Sequence, residues 1–259
     1  MFNNATLIDT HAHFDNERFD SDRNMAYNRA CAAAVKVQII PAIHAKQWHK
    51  MRDVCQTYLN LYPAYGLHPI YLAQHKTEHL AQLEQWLIQE NAIAVGECGL
   101  DFYLKELDVK QQIIFFTAQL EIAKKLNLPV ILHARRAVDD VIKYIRRTPD
   151  LRGVVHSFVG SEQQARQLID LGFYLGFGGT ITYERAKRLH RLIQVLPLES
   201  ILLETDAPDQ PLSTHRGERN EPAYLPEVLH SIATLRQQPP ELIADITTQN
   251  ALQLFNIQL

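Results

Sequence analysis

The chain has 259 residues, of which 46% are hydrophobic and 21% charged, and its net charge is −3. That composition supplies a sizeable core and excludes a broad basic surface for tight non-specific binding to duplex nucleic acid. No uncharged apolar run approaches the ~18 residues of a membrane span, so no membrane association is expected.

The N-terminal stretch has an acid at Asp9 and no basic segment before it, so no secretory leader is expected. Cys31, Cys55 and Cys98 are odd in number, far apart and without a C-x-x-C spacing. They read as plain thiols in a reducing compartment, and the cytoplasm is the expected location.

In chain order, apolar runs of strand character fall at Thr6–Thr10, Val35–Ile43, Ala64–His68, Ile93–Leu100, Leu128–Ala134, Gly153–Phe158, Phe173–Gly179 and Ile201–Asp206. Amphipathic stretches separate them. In Val109–Leu126, Ile113, Phe116, Leu120 and Ala123 recur at helical spacing. Asp108 with Gln111 and Ser161 with Gln164 have capping-box spacing. Asn127 before Leu128-Pro129 reads as a helix stop. Eight such units in ~250 residues match a single-domain α/β protein, a (β/α)8 TIM barrel spanning residues 1–259. A doubly wound open sheet is the alternative.

Ionisable residues cluster where those strands end. Strand one runs into His11 and His13, strand three into His68, and strand four contains Glu97. Strand five ends "ILHAR", strand six "VVHSF" and strand eight "LLETDAP". The C-terminal ends of barrel strands are where such folds place chemistry, whereas a packed core would put Val, Ile or Leu there. Side chains two apart on a strand share a face, which pairs His11 with His13, His133 with Arg135, and Glu204 with Asp206. Cys98, adjacent to Glu97, must face the helices as a packed thiol. Imidazoles and carboxylates without thiolate suit Zn²⁺, Mn²⁺ or Mg²⁺. The donors exceed the needs of one ion, so two divalent ions bridged by Glu97 are the economical reading.

The segments "IDTHAHFD", "GLHP", "VGECGLDFY", "VILHAR", "GVVHSF", "ETDAP" and "RNEPAYLPEVL" occur in order over nearly the whole chain. This set resembles the TatD family of metal-dependent deoxyribonucleases, barrel enzymes of the amidohydrolase superfamily. The resemblance implies that His11, His13, Glu97 and Asp206 hold one ion, and that Glu97, His133 and His156 hold the other. It implies phosphate contacts at His68 and Arg135, with Glu204 either behind the ligands or on a third ion. Cys98 stands where the family usually has Ile, "SFVGS" lacks a second Ser or Thr after Phe, and "QPLSTHRGER" is particular to a subset.

Two such ions generate hydroxide and clamp a phosphodiester, with Asp206 orienting the water and accepting its proton. Arg135 has the fork geometry for phosphate. His68 could bind a phosphate or protonate a leaving oxygen. Arg216 and Arg219 in the loop after strand eight are candidate backbone contacts. The basic runs Lys143–Arg147 and Lys187–Arg191 read as solvated outer faces, as do His44, His49, His75, His79, His190 and His230. The leading expectation, with end and strand preference taken from the resemblance, is a 3′–5′ exonuclease on single-stranded DNA with no obligate protein partner. Hydrolysis of a small ester, lactone or cyclic amide is the alternative, although a bridging carboxylated lysine would suit it better than Glu97. A catalytically silent nucleic-acid-binding module is a third reading, against which the complete ligand set argues.

Overall fold

The computed structural model describes residues 6–258. Its eight strands are β1 (Leu7–Asp9), β2 (Val35–Pro41), β3 (Leu61–Tyr65), β4 (Ala94–Asp101), β5 (Val130–Arg135), β6 (Gly153–Val155), β7 (Phe173–Phe177) and β8 (Ile201–Leu203). All are parallel, and each pairs with the next in sequence order. Helices α1 (Arg23–Ala32), α2 (Trp48–Thr57), α3 (Glu78–Gln89), α4 (Val109–Leu126), α5 (Val138–Arg147), α6 (Glu162–Asp170), α7 (Lys187–Val195), α8 (Leu225–Arg236) and α9 (Pro240–Phe255) lie between and after them.

The seam between β8 and β1 is closed by irregular backbone. The Thr10 N–H donates to the Leu203 carbonyl at 3.0 Å, Asp206 to His11 at 2.8 Å and His13 to Ala207 at 2.7 Å. The arrangement is therefore the TIM barrel and not the open sheet. No helix among the described residues is long and apolar enough to cross a membrane.

Strand alternation sorts the apolar residues into two layers. Ile8, Val37, Ile39, Ala64, Ala94, Ile131, Val154 and Leu202 fill the barrel interior, and Leu254 and Phe255 of α9 pack against them. Val95, Cys98, Val130 and Leu132 belong to the larger cluster between strands and helices. Cys98 is therefore the packed thiol expected from its parity with Glu97. A register irregularity between Val95 and Cys98 changes the parity of β4. Ala94 and Glu97 can then both face the interior, three residues apart.

Helix α4 has the limits read from the sequence, with the Asp108 side chain accepting from the Gln111 N–H and Asn127 left-handed at its end. Ser161 and Gln164 form the expected capping box. Several strands are shorter than expected. The third lies earlier, ending at Tyr65, so His68 sits in the following loop. Beyond β6 and β8, Ser157 and Asp206 take positive φ (45° and 58°), and the extended backbone stops before them.

Gly99 shows how tightly two site-bearing strands approach. Its φ is +145°, and a Cβ there would lie 2.0 Å from the His133 carbonyl oxygen. Gly99→Ala is expected to cost on the order of 3 kcal/mol or more from strain and overlap together. Thermal unfolding followed by circular dichroism should show a fall in Tm of roughly 6 °C or more; an unchanged Tm would mean that β4 and β5 can separate without cost.

Candidate metal centre

The barrel mouth collects side chains from five strand ends around one carboxylate. Glu97 is 2% exposed, and its two oxygens face different groups. Oε2 lies 3.2 Å from His11 Nε2 and 3.5 Å from His13 Nε2. Asp206 Oδ1 is 3.5 Å from each of those nitrogens. Oε1 lies 2.8 Å from His156 Nε2, 2.9 Å from His68 Nε2 and 3.3 Å from His133 Nδ1. The six expected ligands thus converge, with Glu97 between His11, His13 and Asp206 on one side and His133 and His156 on the other.

For His13 and His133, the partner behind the imidazole decides which nitrogen faces Glu97 with a lone pair. His13 Nδ1 donates to the Pro41 carbonyl at 3.1 Å, leaving Nε2 for the site. His133 Nε2 donates to Asp101 Oδ2 at 3.1 Å, leaving Nδ1 for the site. When these rings are neutral, their lone pairs oppose carboxylate lone pairs, an arrangement that a cation resolves. The all-nitrogen-and-oxygen donor set fits a borderline-to-hard divalent ion.

His68 is built the opposite way. Its Nδ1 accepts from the Ile70 N–H at 3.1 Å, so its proton sits on Nε2, facing Glu97. Burial also lowers the His68 pKa to about 4, against the pull of Glu97. Proximity alone would make His68 a ligand, but this tautomer presents a hydrogen-bond donor. It also bears on the expectation that His68 protonates a leaving oxygen: a neutral imidazole giving up Nε2–H would become an anion.

Burial alone would raise the Glu97 pKa, but His68, His156 and His11 outweigh it and hold the carboxyl well below its ordinary range. Burial opposes a charge on His156 as well, yet Glu97, Glu204 and Asp206 push its pKa up to about 10. Burial raises Asp206, partly offset by His156 and His13. Without an ion, protons on His133 and His156, whose pKa values are raised, meet the negative charge.

Several supporting residues escaped the sequence reading. Asp101 orients His133 and is itself held by the Tyr103 and Leu104 N–H groups at 2.9 and 3.2 Å. It shares β4 with Glu97, four residues further on, so even spacing could have flagged it. Asp9 accepts from the Thr205 N–H at 3.0 Å and from its hydroxyl, tying the ends of β1 and β8 together. Two buried glutamines of α4 brace the loops. Gln112 bonds both backbone groups of Asp101, and Gln119 both those of Leu67, the residue before His68. Helical apolar periodicity gave no sign of either.

Glu204 stands behind His156, its Oε1 accepting from the Ser157 N–H at 2.6 Å and 3.8 Å from His156 Nδ1. Burial pushes its pKa up to about 8. A Cβ on Gly176 would fall 2.1 Å from Glu204 Oε2, so glycine there makes room for it. Arg135 lines the cavity above the ligands, its guanidinium 3.8 Å from the Tyr103 ring centre.

One of the two loop arginines corrects the sequence expectation. Arg219 is spent within the protein: it donates to the Arg18 carbonyl, both oxygens of Asp22 and Glu221, and covers the Phe19 ring. Arg216 is exposed, and neither residue is among those lining the cavity. Two basic or histidine positions assigned to outer faces are also corrected. Arg188 lines the cavity, and His75 donates from Nε2 to the His68 carbonyl at 2.8 Å.

A parallel barrel with a buried His/Glu/Asp cluster at its C-terminal mouth defines a metal-dependent hydrolase barrel. The TatD related DNase family profile matches residues 8–256. The chain is 42% identical over 254 residues to the metal-dependent hydrolase YjjV of Escherichia coli, covering 97% of this chain and 98% of that protein. It is 34% identical to the metal-dependent hydrolase YabD of Bacillus subtilis, at 97% and 99% coverage. The crystal structure of YjjV, a TatD homologue, superposes with a TM-score of 0.93 at 40% identity, covering 97% and 98% of the two chains. A TatD family hydrolase from Entamoeba histolytica has the same fold, with a TM-score of 0.86 at 19% identity. The chain belongs to the TatD family and is a metal-dependent hydrolase.

Removing the carboxylate behind His133 tests the tautomer argument. Asp101→Ala is expected to weaken divalent-metal binding about 10–100-fold, read by competition with a chromophoric chelator. Metal affinity should also fall with acid. His156 holds its proton up to about 10, so loading at neutral pH releases protons and each lost pH unit strengthens the competitor. Calorimetric titrations in buffers of different ionisation enthalpy measure that release; none at pH 7 would contradict the protonated, metal-free state.

Proposed function

We propose that the protein is a phosphodiesterase that uses two divalent ions, Zn²⁺, Mn²⁺ or Mg²⁺, to remove nucleotides from the 3′ end of single-stranded DNA. The carrying observation is the division of labour at the mouth. Glu97 offers one oxygen to each donor group, while His68 and Arg135 add an N–H donor and a guanidinium fork to the same cavity. A phosphodiester has two non-bridging oxygens, and donors placed beside the ion pocket suit them. Ions bound there would supply an activated water and neutralise phosphoryl charge.

The chain's own residues do the rest. His11, His13, Glu97 and Asp206 would hold one ion, and Glu97, His133 and His156 the other. Asp206 Oδ1 faces the ligands, while Oδ2 is steadied by the Gln210 amide. It is the base placed to orient the attacking water and take its proton. His68, fixed as an Nε2–H donor by the Ile70 amide, stabilises phosphoryl oxygen charge without losing its proton. The family description supports this reading over a small ester, lactone or cyclic amide, as does the cavity of about 980 Å³. Function in the cytoplasm on a DNA substrate, with no obligate protein partner, is part of the same proposal.

End-labelled single- and double-stranded DNA, assayed beside p-nitrophenyl esters and lactones with each metal, tests it. The expected result is stepwise shortening of the single strand from its 3′ end, abolished by Glu97→Ala together with loss of bound metal. His68→Gln, which keeps an N–H donor, should retain most activity. His68→Ala should lose about 10–100-fold, the value of one hydrogen bond to a charged group. Ester turnover without DNA cleavage would overturn the reading.

A further inference from the structure

The cavity extends beyond the ligands along an arc formed by the starts of α5, α6 and α7. Gln164 at the start of α6 donates to Asp139 in the first turn of α5 at 2.7 Å. Arg188 near the start of α7 reaches back to the Val159 carbonyl, in the loop before α6, at 3.3 Å. Arg136 precedes α5 with φ +54°, a conformation that turns it out of the line of β5. Its guanidinium lies 4.8 Å from the Tyr103 ring centre, the same ring that Arg135 covers. Arg136 and Arg188 both line the cavity.

Among the described residues, no acid on this arc forms an ion pair with Arg136 or Arg188. The acids that share the cavity lining outside the ligands are Asp139, Asp140 and Asp209. Asp140 lies 3.8 Å from Lys143 and Asp209 2.8 Å from Arg18, while Asp139 accepts from Gln164. Among the described residues, Arg136 meets the Tyr103 ring and Arg188 a backbone carbonyl, neither of them an acid. Arg135 and Arg136, gathered at one phenol ring, repel each other, and an anion bound beside Arg136 relieves that repulsion.

We propose that Arg136 and Arg188 form a second anion subsite that holds a phosphate of the substrate other than the one being cleaved. The inference rests on the phosphodiesterase reading and sharpens it: the substrate is an oligonucleotide with at least two phosphates, and the rim arginines track its backbone. Both side chains are exposed, so replacing them leaves the core intact.

The test compares the protein with its Arg136→Gln/Arg188→Gln variant on two substrates, bis(p-nitrophenyl) phosphate, with one phosphate, and an end-labelled oligothymidylate. The expected result is an unchanged kcat/KM on the first and a roughly tenfold higher KM on the second. Binding of fluorescein-labelled oligothymidylate, measured by anisotropy in an Asp206→Asn background that blocks turnover, should weaken about tenfold. Its dependence of log K on log salt should flatten by about 0.7, the value for the one single-strand phosphate that the variant leaves without an arginine. An unchanged KM, affinity and salt slope in the double variant would overturn the subsite, even where the parent protein cleaves DNA. Equal losses on both substrates would overturn it too, since the arginines would then act on the scissile phosphate. Tight, arginine-dependent binding without cleavage would instead sink the nuclease reading and leave the anion subsite standing. Failure of the parent protein to bind the oligonucleotide would remove both.

Discussion

A carboxylate at the mouth of an apolar barrel is stable only if its charge is met from every side, and Glu97 is that carboxylate. Burial by itself would favour the neutral acid, yet the imidazoles around it keep it ionised. The rest of the site follows from this requirement. His11 and His13 from the end of β1, His68 from the loop after β3, His133 from β5 and His156 from beyond β6 all turn toward one residue. The fold supplies what makes this possible, since a closed parallel barrel brings the C-terminal ends of all its strands to one mouth. A histidine on β5 can therefore meet one that follows β1.

The same arrangement explains why so many buried polar residues surround the site without touching its centre. A partner on the far side chooses the tautomer of His13, His68 and His133, and the choice differs among them. Pro41 and Asp101 draw protons away from the centre; the Ile70 amide leaves one pointing in. Gln112 then holds the backbone of Asp101, while Gln119 and His75 hold the backbone at Leu67 and His68. Neutral side chains so close together would otherwise be interchangeable.

Much of this was legible in the sequence. Eight alternating units gave the barrel, and strand-end positions gave the side chains that converge on Glu97, because alternation in a strand and the polarity of residues at its end are local properties. The parity of Cys98 against Glu97 held for the same reason. The limits of β3, β6 and β8 were not legible, since they depend on where neighbouring strands stop pairing and where the backbone turns left-handed. The roles of Asp101 and Gln119 were hidden too. Each is defined by a partner brought close by the fold, 32 and 52 residues away in sequence. Arg219 shows the reverse error. A basic loop residue looks free in one dimension, whereas Asp22 and Glu221 already occupy its fork.

The left-handed residues just past β6 and β8 join the two levels. Beyond β6, Ser157 at φ 45° aims its N–H at Glu204. Beyond β8, Asp206 at φ 58° presents Oδ1 to His11 and His13 while its own N–H donates to the His11 carbonyl. An extended continuation of either strand would carry these groups past the mouth. Non-glycine residues enter this region at a cost, more easily for aspartate than for most, and the cost is offset where the surrounding bonds are many. At Asp206 those bonds are the barrel seam itself. The contacts that close β8 onto β1 therefore also hold the Asp206 carboxylate against His11 and His13, and a change that loosens the seam should be felt first in that geometry and only then in stability.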